Sequence, residues 1–101
     1  MALDDPILTI SVTGKLLGLH PRTIMLYERV GLLKPHRTDT KRRMFSMNDL
    51  DDLQFIKHLT QNKGINLVGV RALLEAITVA KRNGLDLKKE LFPEFKTSQL
   101  I

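Results

Sequence analysis

Glycine and proline divide the first third of the chain into two short helical segments, and this division strongly limits the possible folds. Ser11 can cap a first helix, which Gly18 ends. Pro21 suits the first position of a second helix, where its missing N–H is not needed, and Gly31 ends that helix. Apolar residues recur along one face of the second segment, at Ile24, Tyr27 and Val30. Two short helices joined by a glycine-containing turn predict a helix-turn-helix.

A basic stretch follows, in which the helical period is lost. Residues 33–47 contain Pro35 and a polar centre at 38–40, between flanks that can form short strands, and this predicts a small β-hairpin. Five basic side chains stand against one acidic side chain in residues 34–47, so this stretch carries +4 of the net charge of +5. The five are Lys34, Arg37, Lys41, Arg42 and Arg43. Such a concentration of charge fits either a solvated loop or contact with a polyanion, and the neighbouring elements are needed to choose between them.

Two longer helices complete the predicted fold. Ser46 and Asp49 have the spacing of a capping box, which predicts a third helix over 47–62. Asn66 can cap a fourth helix, and Gly84 suits the position just after its end. The apolar stripes of these helices are Leu50, Leu53, Ile56 and Leu59, and Leu67, Val70, Leu73, Leu74 and Ile77. The predicted fold class is mostly α, a winged helix-turn-helix with four main helices, a small β-hairpin wing and a short C-terminal tail.

The fourth helix carries a second apolar side, formed by Val68, Ala72, Ala76 and Val79. A helix that is apolar on two sides is covered on two sides. Either the tail of the same chain or a second subunit covers the second side, and the sequence leaves both open. The tail after Gly84 is rich in leucine and phenylalanine and is interrupted by Pro93, so it can serve either role.

Several functional classes are excluded by what the sequence lacks. The chain has no cysteine, which removes disulfides, thiolate metal sites and a cysteine nucleophile. His20, His36 and His58 lack the spacing of a metal site, and no phosphate loop or nucleophile elbow is present, so we expect no enzyme activity and no metal or other cofactor. No apolar run approaches a membrane span and the acidic N-terminus does not resemble a signal peptide, so a cytoplasmic location is expected.

The order of these elements points to double-stranded DNA as the partner. A recognition helix fits the major groove, where each base pair presents a distinct pattern, and a basic hairpin beside it can reach the backbone or the minor groove. Phosphate contacts provide most of the affinity, and a few base contacts provide the choice of sequence. We therefore predict an N-terminal arm over 1–8, a winged-helix DNA-binding domain over 9–83 and a C-terminal segment over 84–101 for dimerisation or docking.

Three strings of residues, followed by matches in the hairpin and the third helix, carry a family resemblance. The strings are Ile10-Ser11-Val12, Leu17-Gly18-Leu19-His20-Pro21-Arg22-Thr23 and Tyr27-Glu28-Arg29-Val30-Gly31-Leu32-Leu33. The later matches are Pro35, Arg37-Thr38, Arg43, Phe45-Ser46, Asp49 and Leu50. Over residues 9–77 the chain resembles the DNA-binding domain of the MerR family. The strings at 59–60 and 64–70, with His20-Pro21, look closer to the heat-shock-repressor branch of that family.

This resemblance implies a helix-turn-helix with two wings, the second at residues 63–66. It implies a transcriptional regulator that is usually a homodimer, or an oligomer formed on DNA, bound to an inverted repeat. The heat-shock branch further implies a repressor of stress-response genes with the DnaK chaperone as co-repressor. Family members typically continue into a long dimerisation helix and an effector domain, whereas few residues follow Gly84 here. A partner protein, temperature or concentration is therefore expected to provide any signal, rather than a metal or a drug.

The sequence departs from the family at the recognition helix and at the hairpin. An arginine and a second tyrosine are common where this chain has Met25 and Leu26, so either the target sequence differs or neighbouring arginines carry more of the contact. The hairpin turn usually has a glycine where Thr40-Lys41 stand here, which predicts a differently shaped wing tip. Gly14 replaces a small helix former, at an expected cost of about 1 kcal/mol of helix stability.

Nine side chains are predicted to contact DNA. Arg22 lies in the first turn of the recognition helix, Arg43 is the strongest candidate in the hairpin, and Lys63 lies in the second wing. Tyr27 is expected to belong to the core with its hydroxyl near the DNA backbone, and Glu28 is expected to orient a neighbouring arginine. The full set of predicted contacts is Arg22, Thr23, Tyr27, Arg29, Arg37, Lys41, Arg42, Arg43 and Lys63.

Two other functions fit the same layout. An architectural DNA-binding protein of the excisionase type also uses a small winged helix, to help assemble a recombination complex. A protein-docking adapter with weakened DNA binding would account for the apolar Met25 and Leu26. A bent, multi-protein DNA complex would distinguish the first from a repressor, and a negligible affinity for all DNA would indicate the second.

Overall fold

The computed structural model describes residues 2–96, which form five α-helices and a three-stranded antiparallel sheet. The helices are α1 (Ile10–Leu17), α2 (Pro21–Arg29), α3 (Met47–Lys57), α4 (Leu67–Arg82) and α5 (Leu87–Leu91), and α3 continues into a π-helical turn over His58–Asn62. The strands are β1 (Leu8–Thr9), β2 (His36–Arg37) and β3 (Arg43–Phe45). This arrangement confirms the predicted fold class, a mostly α winged helix-turn-helix.

The first helix begins earlier than the sequence predicted. The Thr9 hydroxyl accepts a hydrogen bond from the Val12 amide at 3.2 Å and caps α1, so the prediction of Ser11 as the cap is wrong. A cap residue needs extended backbone, and Thr9 has it because it is the last residue of β1. Ser11 therefore lies inside the first turn of the helix.

The two helices of the helix-turn-helix otherwise begin and end near the predicted glycine and proline residues. Gly18 ends α1 with φ +67°, and Gly31 follows the end of α2 with φ +84°, both in the left-handed region that favours glycine. Pro21 is the first residue of α2. The imidazole Nδ1 of His20 accepts a hydrogen bond from the Arg22 amide at 3.0 Å, so a histidine caps the recognition helix.

Gly14 has a packing role that was not expected from its low helix propensity. This residue is buried where α1 meets the turn that leads to α2. A Cβ at this position would lie 2.5 Å from the carbonyl oxygen of Leu19, closer than two such atoms can approach without a backbone shift. The glycine thus lets the turn close tightly against the helix, which offsets the conformational freedom that it loses on folding.

The predicted hairpin is present, and its turn is closed without a glycine. β2 and β3 pair antiparallel, with His36 opposite Met44. Lys41 has φ +66° in the turn and so takes up a conformation that glycine would favour. Its amide donates to the Thr38 carbonyl at 2.9 Å, and the Thr38 hydroxyl accepts from the Arg42 amide at 3.1 Å. These bonds hold the tip of the wing in one shape.

A strand that the sequence did not predict completes the sheet. β1 pairs antiparallel with β3, with Leu8 opposite Phe45, so the strand order is β1-β3-β2. The Asn48 amide also donates to the Leu3 carbonyl at 3.0 Å, which places the start of the chain beside the start of α3. A strand of two residues has no alternating pattern, so the sequence gives no signal for it.

The predicted capping box opens α3. The Ser46 hydroxyl accepts from the Asp49 amide at 3.1 Å, and an Asp49 carboxylate oxygen accepts from the Ser46 amide at 2.8 Å. Helical backbone continues to Asn62 as predicted, although its last five residues are a π-helical turn. Within that turn, the Thr60 hydroxyl donates to the Ile56 carbonyl at 3.0 Å.

The fourth helix is capped as predicted and buries one of its two apolar sides. Asn66 Oδ1 accepts from the Gly69 amide at 2.8 Å. Val70, on the first side, is fully buried in the core. On the second side, Val68 is 81% exposed and Val79 is 53% exposed. The part of the tail up to residue 96 therefore does not cover this second side.

The described part of the tail packs instead against α3. The Phe55 ring lies 5.6 Å from the Phe92 ring and 5.2 Å from the Phe95 ring, between ring centroids, and the Lys88 ammonium lies 4.5 Å from the Phe55 centroid. We call Phe55, Phe92 and Phe95 the phenylalanine cluster. The short helix α5 was not predicted. Residues 97–101, with the apolar Leu100 and Ile101 of the predicted tail, lie outside the described residues.

The hydrophobic core lies where α1, α2, β3, α3 and α4 meet. Its buried apolar side chains are Leu17, Leu19, Ile24, Tyr27, Leu32, Phe45, Leu50, Leu53, Phe55, Ile56, Leu59 and Val70. Because the inner face of α2 contributes two of these residues, the core fixes the orientation of the recognition helix.

Candidate nucleic-acid interface

The outer face of α2 presents a leucine with one arginine on each side. Arg22, Leu26 and Arg29 are exposed and follow one another at about one helical turn. Met25, beside them, is half-buried. Tyr27 is 3% exposed and packs in the core, as predicted for its ring. The surface that this helix offers to a groove therefore consists of two cations and an apolar centre.

Glu28 joins the recognition helix to the hairpin. Its Oε1 accepts a hydrogen bond from Arg43 Nε at 2.7 Å, and its Oε2 accepts from Arg37 Nη2 at 2.9 Å. Nη1 of Arg37 also donates to the Lys41 carbonyl in the turn at 3.0 Å. Since Arg37 lies on β2 and Arg43 on β3, one carboxylate holds both hairpin strands against α2. We call Glu28, Arg37 and Arg43 the Glu28 clamp; it confirms the expectation that Glu28 orients a neighbouring arginine.

The electrostatics of the clamp favour the ionised carboxylate. Partial burial by itself raises the pKa of Glu28, because water solvates the charge less well. Hydrogen bonds from Arg43 and Arg37, together with their positive charges, outweigh that effect, so the pKa of Glu28 is lowered from its usual value. The hairpin is therefore held in place by a charged group at neutral pH.

This shift predicts that the clamp is lost in acid. A carboxyl group whose pKa is lowered in the folded state stabilises the protein above its unfolded pKa of about 4.3, and this contribution disappears as the pH falls through the lowered value. We expect wild type to unfold at a higher urea concentration than Glu28→Gln at pH 7, and this difference to disappear at an acidic pH below the lowered pKa of Glu28. An equal difference at both pH values would contradict this role for the charge.

The structure divides the four predicted DNA contacts of the basic stretch into two groups. Lys41 and Arg42 are exposed at the tip of the hairpin, where a DNA backbone can reach them. Arg43, the strongest sequence candidate, has a side chain that is 26% exposed and is paired with Glu28, and Arg37 shares the same carboxylate. The contacts of all four with DNA remain predictions, but only the first two are exposed without engagement by the clamp.

A lysine at the end of α3 donates a hydrogen bond to the end of α1. Lys57 Nζ donates to the Leu17 carbonyl at 2.6 Å, across 40 positions of sequence. The carbonyls at the end of a helix carry partial negative charge and favour a nearby cation. Lys57 thus stabilises the end of α1 just before the turn. Sequence reasoning missed this residue because the ammonium of a lysine usually reaches solvent, even where its stem lies beside buried side chains such as Leu53.

The loop predicted as the second wing, residues 63–66, contacts the C-terminal segment. Lys63 Nζ lies 3.4 Å from a Glu94 carboxylate oxygen and 6.0 Å from the centroid of the Phe92 ring. The same Glu94 oxygen lies 2.7 Å from Nε2 of His58. The hydrogen bond with His58, and then the contact with Lys63, lower the pKa of Glu94. A DNA phosphate that approached the predicted contact Lys63 would compete with this carboxylate.

The predicted contact residues thus fall into three places. Arg37 and Arg43 share the Glu28 carboxylate, and Lys41 and Arg42 are exposed at the tip of the same hairpin. Arg22 and Arg29 lie on the outer face of α2, and the predicted contact Thr23 is half-buried in its first turn. Lys63 lies apart from both groups, in the loop predicted as the second wing. Within residues 2–96, no cluster of histidine and carboxylate side chains has the arrangement to hold a metal ion, and no helix is long and apolar enough to cross a membrane.

Comparison with known proteins agrees with this architecture. The chain is 42% identical over 72 residues to the putative heat shock protein HspR of Streptomyces coelicolor, covering 71% of this chain and 48% of HspR. It is 39% identical over 69 residues to the HTH-type transcriptional regulator GlnR of Bacillus anthracis, covering 68% of this chain and 53% of GlnR. It is 32% identical over 91 residues to the HTH-type transcriptional regulator MlrA of Salmonella typhimurium, covering 89% of this chain and 37% of MlrA.

The chain therefore spans about half or less of the length of these relatives. Residues 8–77 match the MerR HTH family of regulatory proteins. That match begins with β1 and includes the helix-turn-helix, the hairpin, α3 and most of α4, so it covers every element of the candidate interface except the C-terminal segment. The family resemblance is confirmed, and the family is one of regulators rather than enzymes. This chain belongs to the MerR family of helix-turn-helix, DNA-binding transcriptional regulators.

Proposed function

We propose that the protein is a sequence-specific transcriptional repressor that inserts α2 into the major groove and lays the hairpin on the backbone or in the minor groove. The observation that carries this proposal is the Glu28 clamp. A wing adds to sequence-specific binding only if it is held at a fixed distance and angle from the recognition helix. Hydrogen bonds of 2.7 and 2.9 Å from both hairpin strands to one carboxylate provide such a connection.

The test is selection of bound fragments from sheared genomic DNA at about 150 mM salt, where purely electrostatic binding is weakened. Enrichment of an inverted repeat that overlaps promoters would support a dimeric repressor. Binding only within a bent, multi-protein complex would favour the architectural alternative. Failure to enrich any fragment, with salt-independent and negligible affinity for DNA, would favour the adapter and overturn the proposal.

The exposed tip of the hairpin is proposed to contact phosphates. Replacing Arg42 with alanine should weaken binding several-fold and reduce the slope of log affinity against log salt by about one, the loss of one phosphate contact. Arg82→Ala is the matched control, because Arg82 is also exposed but lies in the last turn of α4. Equal slopes for Arg42→Ala and wild type would remove the tip from the interface.

We also propose that two copies associate through the second apolar side of α4. On this side Val68 and Val79 are exposed, with Ala72 and Ala76 between them. An antiparallel pair of such helices sets Val68 opposite Val79 of the second copy, so the surface is self-complementary. Val79→Glu is expected to make the protein monomeric by analytical ultracentrifugation, whereas Val12→Glu, at an exposed position of α1, should leave its mass unchanged. A dimer that survives Val79→Glu but not deletion of 85–101 would assign the interface to the predicted C-terminal segment.

The similarity to HspR, whose name describes a heat shock protein, supports a role in the stress response. We propose stress genes as targets and a DnaK-type chaperone as co-repressor, as the heat-shock branch implies. Addition of purified DnaK should then tighten binding to a selected operator. An unchanged affinity would reject the chaperone while leaving the DNA-binding proposal intact.

A further inference from the structure

The centre of the outer face of α2 is apolar, and no role in DNA binding has been assigned to it. Leu26 is 36% exposed on the outer face of α2, and the half-buried Met25 lies beside it. Leu26 has no hydrogen-bonding group, and the thioether of Met25 is only a weak acceptor. Leaving a leucine exposed loses the stabilisation that its burial would provide, unless a partner covers it.

The arginines on both sides identify the kind of partner. Arg22 and Arg29 are exposed one turn before and one turn after Leu26 on the same helix face. A polyanion matches two cations at this spacing, whereas an apolar protein surface would have to desolvate both. Double-stranded DNA is therefore the partner that fits this surface, with the cations near phosphates and the leucine between them.

Major-groove chemistry then selects the base. Each base pair shows donors and acceptors in that groove, and the thymine C5-methyl is the apolar group among them. We propose that Leu26, backed by Met25, reads the methyl groups of thymines, so that van der Waals contact selects sequence at the centre of the recognition helix. This inference rests on the proposed DNA-binding function and adds its base preference.

The helix is held firmly enough for contact of this kind. Ile24 and Tyr27 on its inner face are 1% and 3% exposed, His20 caps its start, and Glu28 ties it to the hairpin. Van der Waals attraction falls steeply over a fraction of an ångström, so a methyl reader must be presented by a rigid element. In α2 the exposed leucine lies between two residues that anchor the helix in the core.

Replacing thymine with deoxyuridine tests the proposal, because it removes only the methyl group. Wild type first selects a duplex from a random library, and each thymine of that duplex is then replaced singly. We expect at least one replacement to weaken wild-type binding about fourfold, the factor for burial of one methyl-sized group. Leu26→Ala should bind the original duplex more weakly and show no further loss with deoxyuridine. Its salt slope should equal that of wild type, because no phosphate contact is lost.

Two further variants separate methyl reading from a structural effect. Leu26→Met keeps an apolar side chain and should keep the dependence on the methyl group. Val12→Ala truncates another exposed apolar residue, 43% exposed on α1, and should leave the deoxyuridine effect unchanged. Binding that is insensitive to every replacement, or losses that are equal in wild type and Leu26→Ala, would overturn the inference while DNA binding stands. If wild type selects no duplex from the library, both the DNA-binding proposal and the methyl-reading proposal are overturned. Binding of a protein partner that is lost in Leu26→Ala would then assign this surface to protein docking.

Discussion

Replacing Glu28 with glutamine is expected to reduce the specificity of DNA binding and at the same time to increase its salt dependence. The variant loses the negative charge that holds Arg37 and Arg43 in the clamp, so the hairpin is no longer fixed against α2. The two freed arginines can then meet phosphates, which steepens the slope of log affinity against log salt by up to about two. Competition between a selected operator and random DNA, at several salt concentrations, measures both effects.

The same change should destabilise the fold. The Glu28 and Arg43 side chains are 22% and 26% exposed, and hydrogen bonds between charged groups of this kind contribute about 1.5–3 kcal/mol when they are shielded from water. The Arg37 side chain is 39% exposed and adds less because of solvent screening. We expect a loss of about 2 kcal/mol in the free energy of unfolding, measured by urea denaturation.

The chain offers a matched control in Glu75→Gln. Glu75 pairs with Arg71 at 3.4 Å on α4, but their side chains are 69% and 59% exposed. Exposed pairs one turn apart contribute about 0.3–0.5 kcal/mol, so this variant should change stability little and leave specificity intact. If the two variants behave alike, loss of charge alone explains the result and the clamp does not position the wing.

Replacing Phe55 with alanine should produce the largest change in stability. Phe55 is 3% exposed, belongs to the core and supports both other rings of the phenylalanine cluster. Truncation of a buried phenylalanine costs about 3–5 kcal/mol, a large share of the stability of a small domain. The Lys88 ammonium also loses the nearer of the two aromatic rings that it lies over. We therefore expect a lower unfolding midpoint and release of the C-terminal segment, seen as faster tryptic cleavage at Lys88 and Lys89.

Leu91→Ala distinguishes release of the segment from a general loss of stability. Leu91 ends α5 but is 50% exposed, so its truncation should change the unfolding free energy by less than about 0.5 kcal/mol. Cleavage at Lys88 should remain slow in this variant. Fast cleavage in wild type as well would show that the cluster does not hold the segment.

The elements specified by local chemistry were predictable from sequence. Gly18, Pro21 and the Ser46–Asp49 capping box act on residues within one helical turn. Their spacing alone therefore predicts where the helices begin and end. The hairpin was predictable because the loss of helical period and the concentration of charge coincide in one stretch. The apolar stripe of α4 correctly identified Val70 as core.

The features that sequence reasoning missed depend on partners far along the chain. β1 exists because β3 pairs with it, and α5 is held by the phenylalanine cluster. Lys57 meets a carbonyl 40 positions away, and no local pattern distinguishes it from a solvated lysine. The predicted basic cluster was correct in composition but does not act as one unit, because Glu28 engages two of its arginines. Charge along a sequence therefore located the wing without showing which cations are exposed.

The strand order β1-β3-β2 has a consequence for the order in which the protein folds. A lone two-stranded hairpin is marginally stable in water, and β3 gains its second neighbour only when the start of the chain returns to it. That return encloses the whole helix-turn-helix, so the entropy of closing the loop is lost before the third strand pairs. The wing therefore does not fold as an independent unit after the helices, and its formation and their docking should be a single cooperative event.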